Sequence, residues 1–192
     1  MKQLIKKAKE LAFSEIKKYG APSMFNFKLS NVKGQMLSEK YNADKNIVLL
    51  GTILMDLKIG QALQEDKLKD HVKMSIVEAK SFLEKHTNNK PLIEKVLHCI
   101  KAHHGTIEYK SKEAEIVANA DCYRFVTISG FLRSIADFSK EGMSFNKVID
   151  LAEYKVKEKW STVSLSEVKA ELQSDYKFIM KLVKQAKEGQ AD

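Results

Sequence analysis

Asp56, His71, His103 with His104, and Asp121 are the residues in this sequence whose type and position could do chemistry. Asp56 is the only charge between Ile47 and Leu57. A carboxylate buried in such a stretch has to be paired, protonated or bound to a cation. The plainer alternative is a helix-end carboxylate accepting from Lys58 or a neighbouring backbone amide. His103 and His104 prolong the stripe Ile93, Val96, Leu97, Ile100 by one turn, so at least one imidazole points where the core side chains point. All five histidines (71, 86, 98, 103, 104) fall within 34 residues. His71 opens a helix on the side of Ser75 and Ala79, whereas His86 and His98 read as surface or boundary residues. Asp121 shares a face with Val117 and Ile128, and its plainer reading is an i, i+3 salt bridge to Arg124. Carboxylates and imidazoles from different helices are what a bundle uses to hold Mn, Fe, Zn or Mg. Such an ion polarises a phosphoryl oxygen and makes hydroxide available near neutral pH.

The elements that must position these residues read as helices. Leu4, Ala8, Leu11, Ala12 and Ile16 recur at helical spacing over residues 2–19, stopped by Gly20 and Pro22. A second helix spans about 23–40, with Phe25, Leu29, Val32, Met36 and Leu37 inward. Asp44 caps a third, about 45–59, central to the core. Asp70 caps a fourth, with Val72, Ile76, Ala79 and Leu83 inward until Asn88, Asn89 and Pro91. The fifth carries the Ile93 stripe to about Gly105. Ser111 caps a long sixth with Val117, Ile128, Phe131, Ile135 and Phe138 as its seam, up to Gly142. Two more follow, about 144–162 and a last one opened by the capping box Ser164-Leu165-Ser166-Glu167. Leu165, Val168, Leu172, Tyr176, Ile179 and Val183 form its stripe, and 186–192 reads as a frayed tail. No strand-like alternation and no internal repeat occurs. The expectation is an all-α single helical bundle of about eight helices over 1–192, with a motif-bearing core at about 24–138 and C-terminal helices at 144–187.

Composition excludes several classes. Eight glycines and two prolines in 192 residues argue against collagen-like, low-complexity and turn-rich all-β chains. Thirty-three Lys plus Arg against twenty-five Asp plus Glu give +8, but the lysines are scattered, so no dedicated nucleic-acid-binding segment stands out. The apolar run Ile47–Leu54 is far shorter than the roughly 20 residues of a bilayer span. Lys2, Lys6, Lys7, Lys9 and Glu10 interrupt the apolar pattern of the first 13 residues, unlike a signal peptide. No membrane association and a cytoplasmic location are expected. Cys99 and Cys122 have no CxxC or CxxH partner and read as small buried hydrophobes.

Residues 26–125 resemble the HD superfamily of metal-dependent phosphohydrolases. Leu49-Leu50-Gly51-Thr52-Ile53-Leu54-Met55-Asp56 followed by Leu57-Lys58-Ile59-Gly60 is similar to its His-Asp segment. His71-Val72-Lys73-Met74-Ser75 with Ala79 is similar to its later His motif. Cys99-Ile100-Lys101-Ala102-His103-His104 is similar to its paired-His helix end, and the segment from Glu113 to Ala120-Asp121 to its closing Ala-Asp motif. The resemblance implies an all-α fold and a divalent ion (Mn, Fe, Co, Zn or Mg) held by Asp56, His71, His103 or His104, and Asp121. Asn26 and Met55 stand where the family has two histidines. An amide and a thioether are poor ligands for hard cations, so at most one ion is expected. Restoring both imidazoles is expected to raise occupancy towards two.

The resemblance implies a phosphohydrolase acting on a phosphate ester or nucleotide, with Asp56 and Asp121 in the site and Lys58 and Arg124 neutralising phosphate. Lys73 and Lys101 read more simply as solvated face. The alternative is an inactive HD pseudoenzyme, a ligand-binding or scaffold module in which Met55 fills a ligand position with a core side chain. A remoter alternative is redox chemistry at a two-His-one-carboxylate iron. Oligomeric state is not legible.

Overall fold

The protein is described by a computed structural model covering residues 1–140 and 142–189. Those residues form ten α-helices and one 310 turn, with no strand. The sixth of the eight expected helices is split in two, and a short helix, Ile59–Gln64, follows the third where none was expected, which gives the ten.

Contacts divide the chain into two compact units, Met1–Ala120 and Asp121–Asp192, with the division inside a helix. In the first unit α1 (Lys2–Tyr19), α2 (Met24–Lys40) and α6 (Lys90–Ala102) pack around α3 (Lys45–Leu54), while α4 (Ile59–Gln64) joins α1 to α5 (His71–His86). Asp44 caps α3 as expected, accepting from the amides of Asn46 at 2.8 Å and Ile47 at 3.2 Å. Glu113, at the start of α7 (Lys112–Val126), accepts from the Asp44 amide at 3.0 Å and so ties the beginning of α3 to α7.

The expected inner face of α2 is rotated. Val32 and Met36 are each 57% exposed, and the buried residues are Asn26, Phe27, Ser30, Gly34, Leu37 and Ser38. A Cβ on Gly34 would stand 3.0 Å from a Thr52 methyl and 3.1 Å from a Val48 methyl, so the small face is what lets α2 lie close to α3. Ser30 and Ser38 donate to carbonyls of their own helix, which removes the cost of burying their hydroxyls.

α3 ends at Leu54 rather than Ile59, and residues 55–58 form a turn. The stretch Lys45–Gln64 is apolar enough for a membrane span by length and composition alone. It is broken by that turn, and Ile47, Val48, Leu50, Ile53 and Leu54 are buried as the residues of a core helix are. Asp70 precedes α5 without a side-chain capping bond. The preceding 310 turn, Leu68–Asp70, already supplies the entry to the helix.

In the second unit α8 (Ile128–Ser139), α9 (Phe145–Thr162) and α10 (Ser166–Glu188) pack on one another around Phe131, Ile149, Ala152, Val156, Ile179 and Val183. The expected sixth helix breaks at Thr127. That hydroxyl donates to the Tyr123 carbonyl at 2.7 Å and accepts the Gly130 amide at 3.1 Å, capping α8, while Asp175 accepts the Ile128 amide at 3.0 Å. α10 starts at Ser166, with Leu165 in the capping position and no side-chain cap, one residue later than the box implies. It continues to Glu188, so 186–188 is helix rather than tail, and 190–192 lies outside the described residues.

Candidate metal centre

Three chain reversals of the first unit bring polar residues together. Asp56 lies in the turn after α3, His71 is the first residue of α5, and His103 and His104 directly follow α6. The close approach of α3 to α6 depends on Gly51, where a Cβ would meet Val117 at 2.8 Å and Cys99 at 3.0 Å. The turn itself is hooked to α5, because the Lys58 amide donates to the buried Ser75 hydroxyl at 3.0 Å. One helix therefore carries His71 and, one turn later, the hydroxyl that fixes the Asp56 turn.

Asp56 Oδ1 lies 3.5 Å from His103 Nε2 and 3.6 Å from His71 Nε2. His71 Nε2 and His104 Nε2 are 3.1 Å apart. The donor atoms of the three histidines all lie within 4.8 Å of one another. Each of the first two rings is oriented by its own chain: His71 Nδ1 meets the Leu68 carbonyl at 2.7 Å, and His103 Nδ1 meets the Ile100 carbonyl at 2.7 Å. A carbonyl only accepts, so Nδ1 carries the hydrogen in both rings and the neutral ring leaves its Nε2 lone pair for a cation.

These residues fit a metal ion. His103 is fully buried, yet its Nε2 has no hydrogen-bond partner among the described residues, an arrangement that is expensive unless a cation or proton completes it. Atoms bonded to one ion at about 2.1 Å stand about 3.0 Å apart at right angles and about 3.4 Å apart at tetrahedral angles. The separations of 3.1, 3.5 and 3.6 Å are close to that range and, apart from the first, too long for good direct hydrogen bonds.

The remaining candidates have other engagements. The Lys58 ammonium is held by Glu15 at 3.0 Å and Glu78 at 3.6 Å. Asp121 belongs to the second unit, where Arg124 meets Oδ1 at 2.7 Å and Lys159 meets Oδ2 at 2.6 Å. Burial acts to lower the Lys159 pKa, but the carboxylates of Asp121 and Glu158 outweigh it and hold the ammonium above the ordinary lysine range. Asn26 and Met55 are both buried, and the Asn26 Oδ1 has no hydrogen-bond partner among the described residues. Lys73 and Lys101 are exposed, and His86 and His98 are boundary residues. His98 accepts the Lys110 amide at 3.1 Å and so braces the loop that follows His104. Burial pushes the Cys99 thiol up to about 12 and raises that of Cys122, so neither is a thiolate ligand or nucleophile.

Sequence reasoning missed Ser75 as the anchor of the Asp56 turn and Lys159 as the partner of Asp121. Lys159 had a signal: it continues the stripe Val148, Ala152, Val156 at helical spacing, a core position for an ammonium.

No protein-family model matches the sequence, and no curated protein matches it. Solved structures do. A predicted HD superfamily hydrolase from an uncultured Thermotogales bacterium superposes with TM-score 0.67 at 13% identity, over 97% of this chain and 92% of that one. Bacillus subtilis YpgQ in complex with ADP gives 0.68 at 17% identity over 97% and 96%. An HD-superfamily hydrolase from Bacillus thuringiensis gives 0.65 at 18% identity over 100% and 99%. The chain therefore has the all-α fold of the HD-superfamily hydrolases.

Proposed function

We propose that this chain is an HD-type metal-dependent phosphohydrolase that acts on a phosphate ester or nucleotide with a single divalent ion. The observation that carries the reading is the buried Nε2 of His103, which has no hydrogen-bond partner among the described residues, beside Asp56 and His71. Asp56 Oδ1 and the Nε2 atoms of His71 and His103 would hold the ion, with His104 beside them. When bound, the ion supplies a Lewis acid for a phosphoryl oxygen and makes hydroxide available near neutral pH. Leu68 and Ile100 fix the tautomers of two rings and so leave both Nε2 lone pairs to the ion, with His104 Nε2 3.1 Å from His71 Nε2. Lys58 and Arg124 already face carboxylates, so phosphate charge falls to the ion rather than to them. The ADP held by the B. subtilis neighbour favours a nucleotide among phosphate esters. We take residues 1–192 as one functional HD-like domain. Two buried cysteines, Cys99 and Cys122, suit a reducing compartment such as the cytoplasm.

Protein purified without chelator or His tag should carry one equivalent of Mn, Fe, Co or Zn. His103→Ala should lower metal affinity at least about tenfold and reduce any hydrolysis of a generic phosphodiester or nucleotide in parallel. A second reading, the inactive HD module, is favoured by Met55, a buried thioether where the resemblance implies an imidazole. It takes over if no metal binds under any condition and Asp56→Ala leaves stability unchanged.

A further inference from the structure

We propose that the ammonium of Lys159 permanently takes the place of a metal ion at Asp121, so that this carboxylate is withheld from cations in solution. Sequence resemblance assigns Asp121 to the metal set, yet both of its oxygens are engaged by protein cations. Lys159 Nζ is 2.6 Å from Oδ2 and Arg124 Nη1 is 2.7 Å from Oδ1. All three side chains are dry: Asp121 is 1% exposed, Lys159 1% and Arg124 4%.

A lysine in this position needs a reason. It continues the apolar face of α9 after Val148, Ala152 and Val156, where an aliphatic side chain would pack at no desolvation cost. The ammonium is a compact point charge with three donors, closer in character to a small cation than a guanidinium is. Glu158 Oε1 stands 3.7 Å from the same Nζ, and Glu158 is itself paired with Lys155 at 2.8 Å. Two protein cations thus face Asp121, and Glu158 supplies a second negative charge beside Lys159. A divalent ion approaching Asp121 would stand beside two fixed positive charges in a medium that screens them poorly. It would also have to displace an ammonium that cannot diffuse away. Asp121 is therefore a structural anion in this chain, neutralised from within the unit that carries it.

The inference does not rest on the ion proposed at Asp56, and its test separates the two. Metal-stripped full-length protein is dialysed against Mn2+ or Zn2+, bound metal is counted, and melting temperature is recorded with and without the ion. Asp121→Asn should leave the wild-type metal count unchanged, whereas the ion at Asp56 is weakened by His103→Ala. Lys159→Met should melt about 10 °C lower, because it takes the ammonium away from Asp121 Oδ2 inside a buried site. Added Mn2+ should recover most of that loss with about one further equivalent bound, and the Lys159→Met/Asp121→Asn double variant should neither bind it nor respond. A wild-type count that drops by one equivalent on Asp121→Asn alone overturns the proposal, as does a Lys159→Met protein whose melting ignores divalent ions. If Lys159→Met cannot be purified, Lys159→Arg and Asp121→Asn decide. Both retaining the wild-type count supports the proposal, and either losing an equivalent overturns it.

Discussion

His103 illustrates how much a single side chain reveals when its two nitrogens are treated separately. Nδ1 is satisfied by a carbonyl three residues back, and Nε2 has no hydrogen-bond partner among the described residues. Replacing the ring with Phe removes that atom along with the ligand. His103→Phe should therefore melt within a few degrees of metal-free wild type while no longer being stabilised by added Mn2+ or Zn2+, measured by thermal unfolding with and without the ion. Glu113 gives a prediction in pH. Burial acts to raise its pKa, but the bonds from the Asp44 amide, its own amide and Ser111, with Lys95, outweigh that and hold it below the usual glutamate value. A depressed folded pKa contributes stability that is present above the unfolded value of about 4.3 and is lost as pH falls through the folded one. Glu113→Gln should thus be less stable than wild type at neutral pH, by under about 1 kcal/mol given its solvent screening, and the two acid-unfolding curves should converge below pH of about 4. At this scale the sequence was legible where a polar residue interrupts an apolar stripe, as at Asp56 and His103. It was illegible at Ser75, because serine is too common on helices to mark itself, whereas Lys159 carried the same signal as Asp56 and was missed.

Helix α2 is rotated from its expected setting: Leu37 is buried and Phe25 and Leu29 are half-buried, while Val32 and Met36 face solvent. Its apolar residues at 25, 29, 32 and 36 make the more regular stripe, yet packing selected the small face that contains Gly34. Stripe counting weighs hydrophobicity and ignores how closely a neighbour must come, so a face chosen for its smallness escapes it. Val32→Lys with Met36→Lys should change stability by no more than about 0.5 kcal/mol each, since both side chains face solvent. Gly51→Ala should cost about 1–3 kcal/mol, because its methyl enters the space of Val117 and Cys99. Denaturant midpoints should therefore fall further for the added methyl than for the two added charges, the reverse of the order that hydrophobicity alone suggests. The breaks after Leu54 and at Thr127 were equally hidden: apolar periodicity runs straight through both. What stops the helices there is hydrogen bonding by Ser75, Thr127 and Asp175, which lie outside the stripes.

For the whole molecule, the all-α class was legible, because helical apolar periodicity runs along nearly the whole chain. The division into two compact units was not, since α7 carries the chain across it without a break in pattern. Asp56, His71, His103 and His104 all lie in the first unit, so chelation should lower the melting temperature by an amount that grows with the logarithm of the metal concentration removed. The orientation of the two imidazoles has a last consequence. Their Nδ1 partners are neutral peptide carbonyls, not carboxylates, so no negative charge backs the rings. With Asp56 as the one anion among Asp56, His71, His103 and His104, a divalent ion would leave the assembly with an unspent positive unit. Such a centre is an anion exchanger in miniature: it should take up inorganic phosphate or ADP in preference to adenosine, with an affinity that weakens as salt is added and vanishes with the metal.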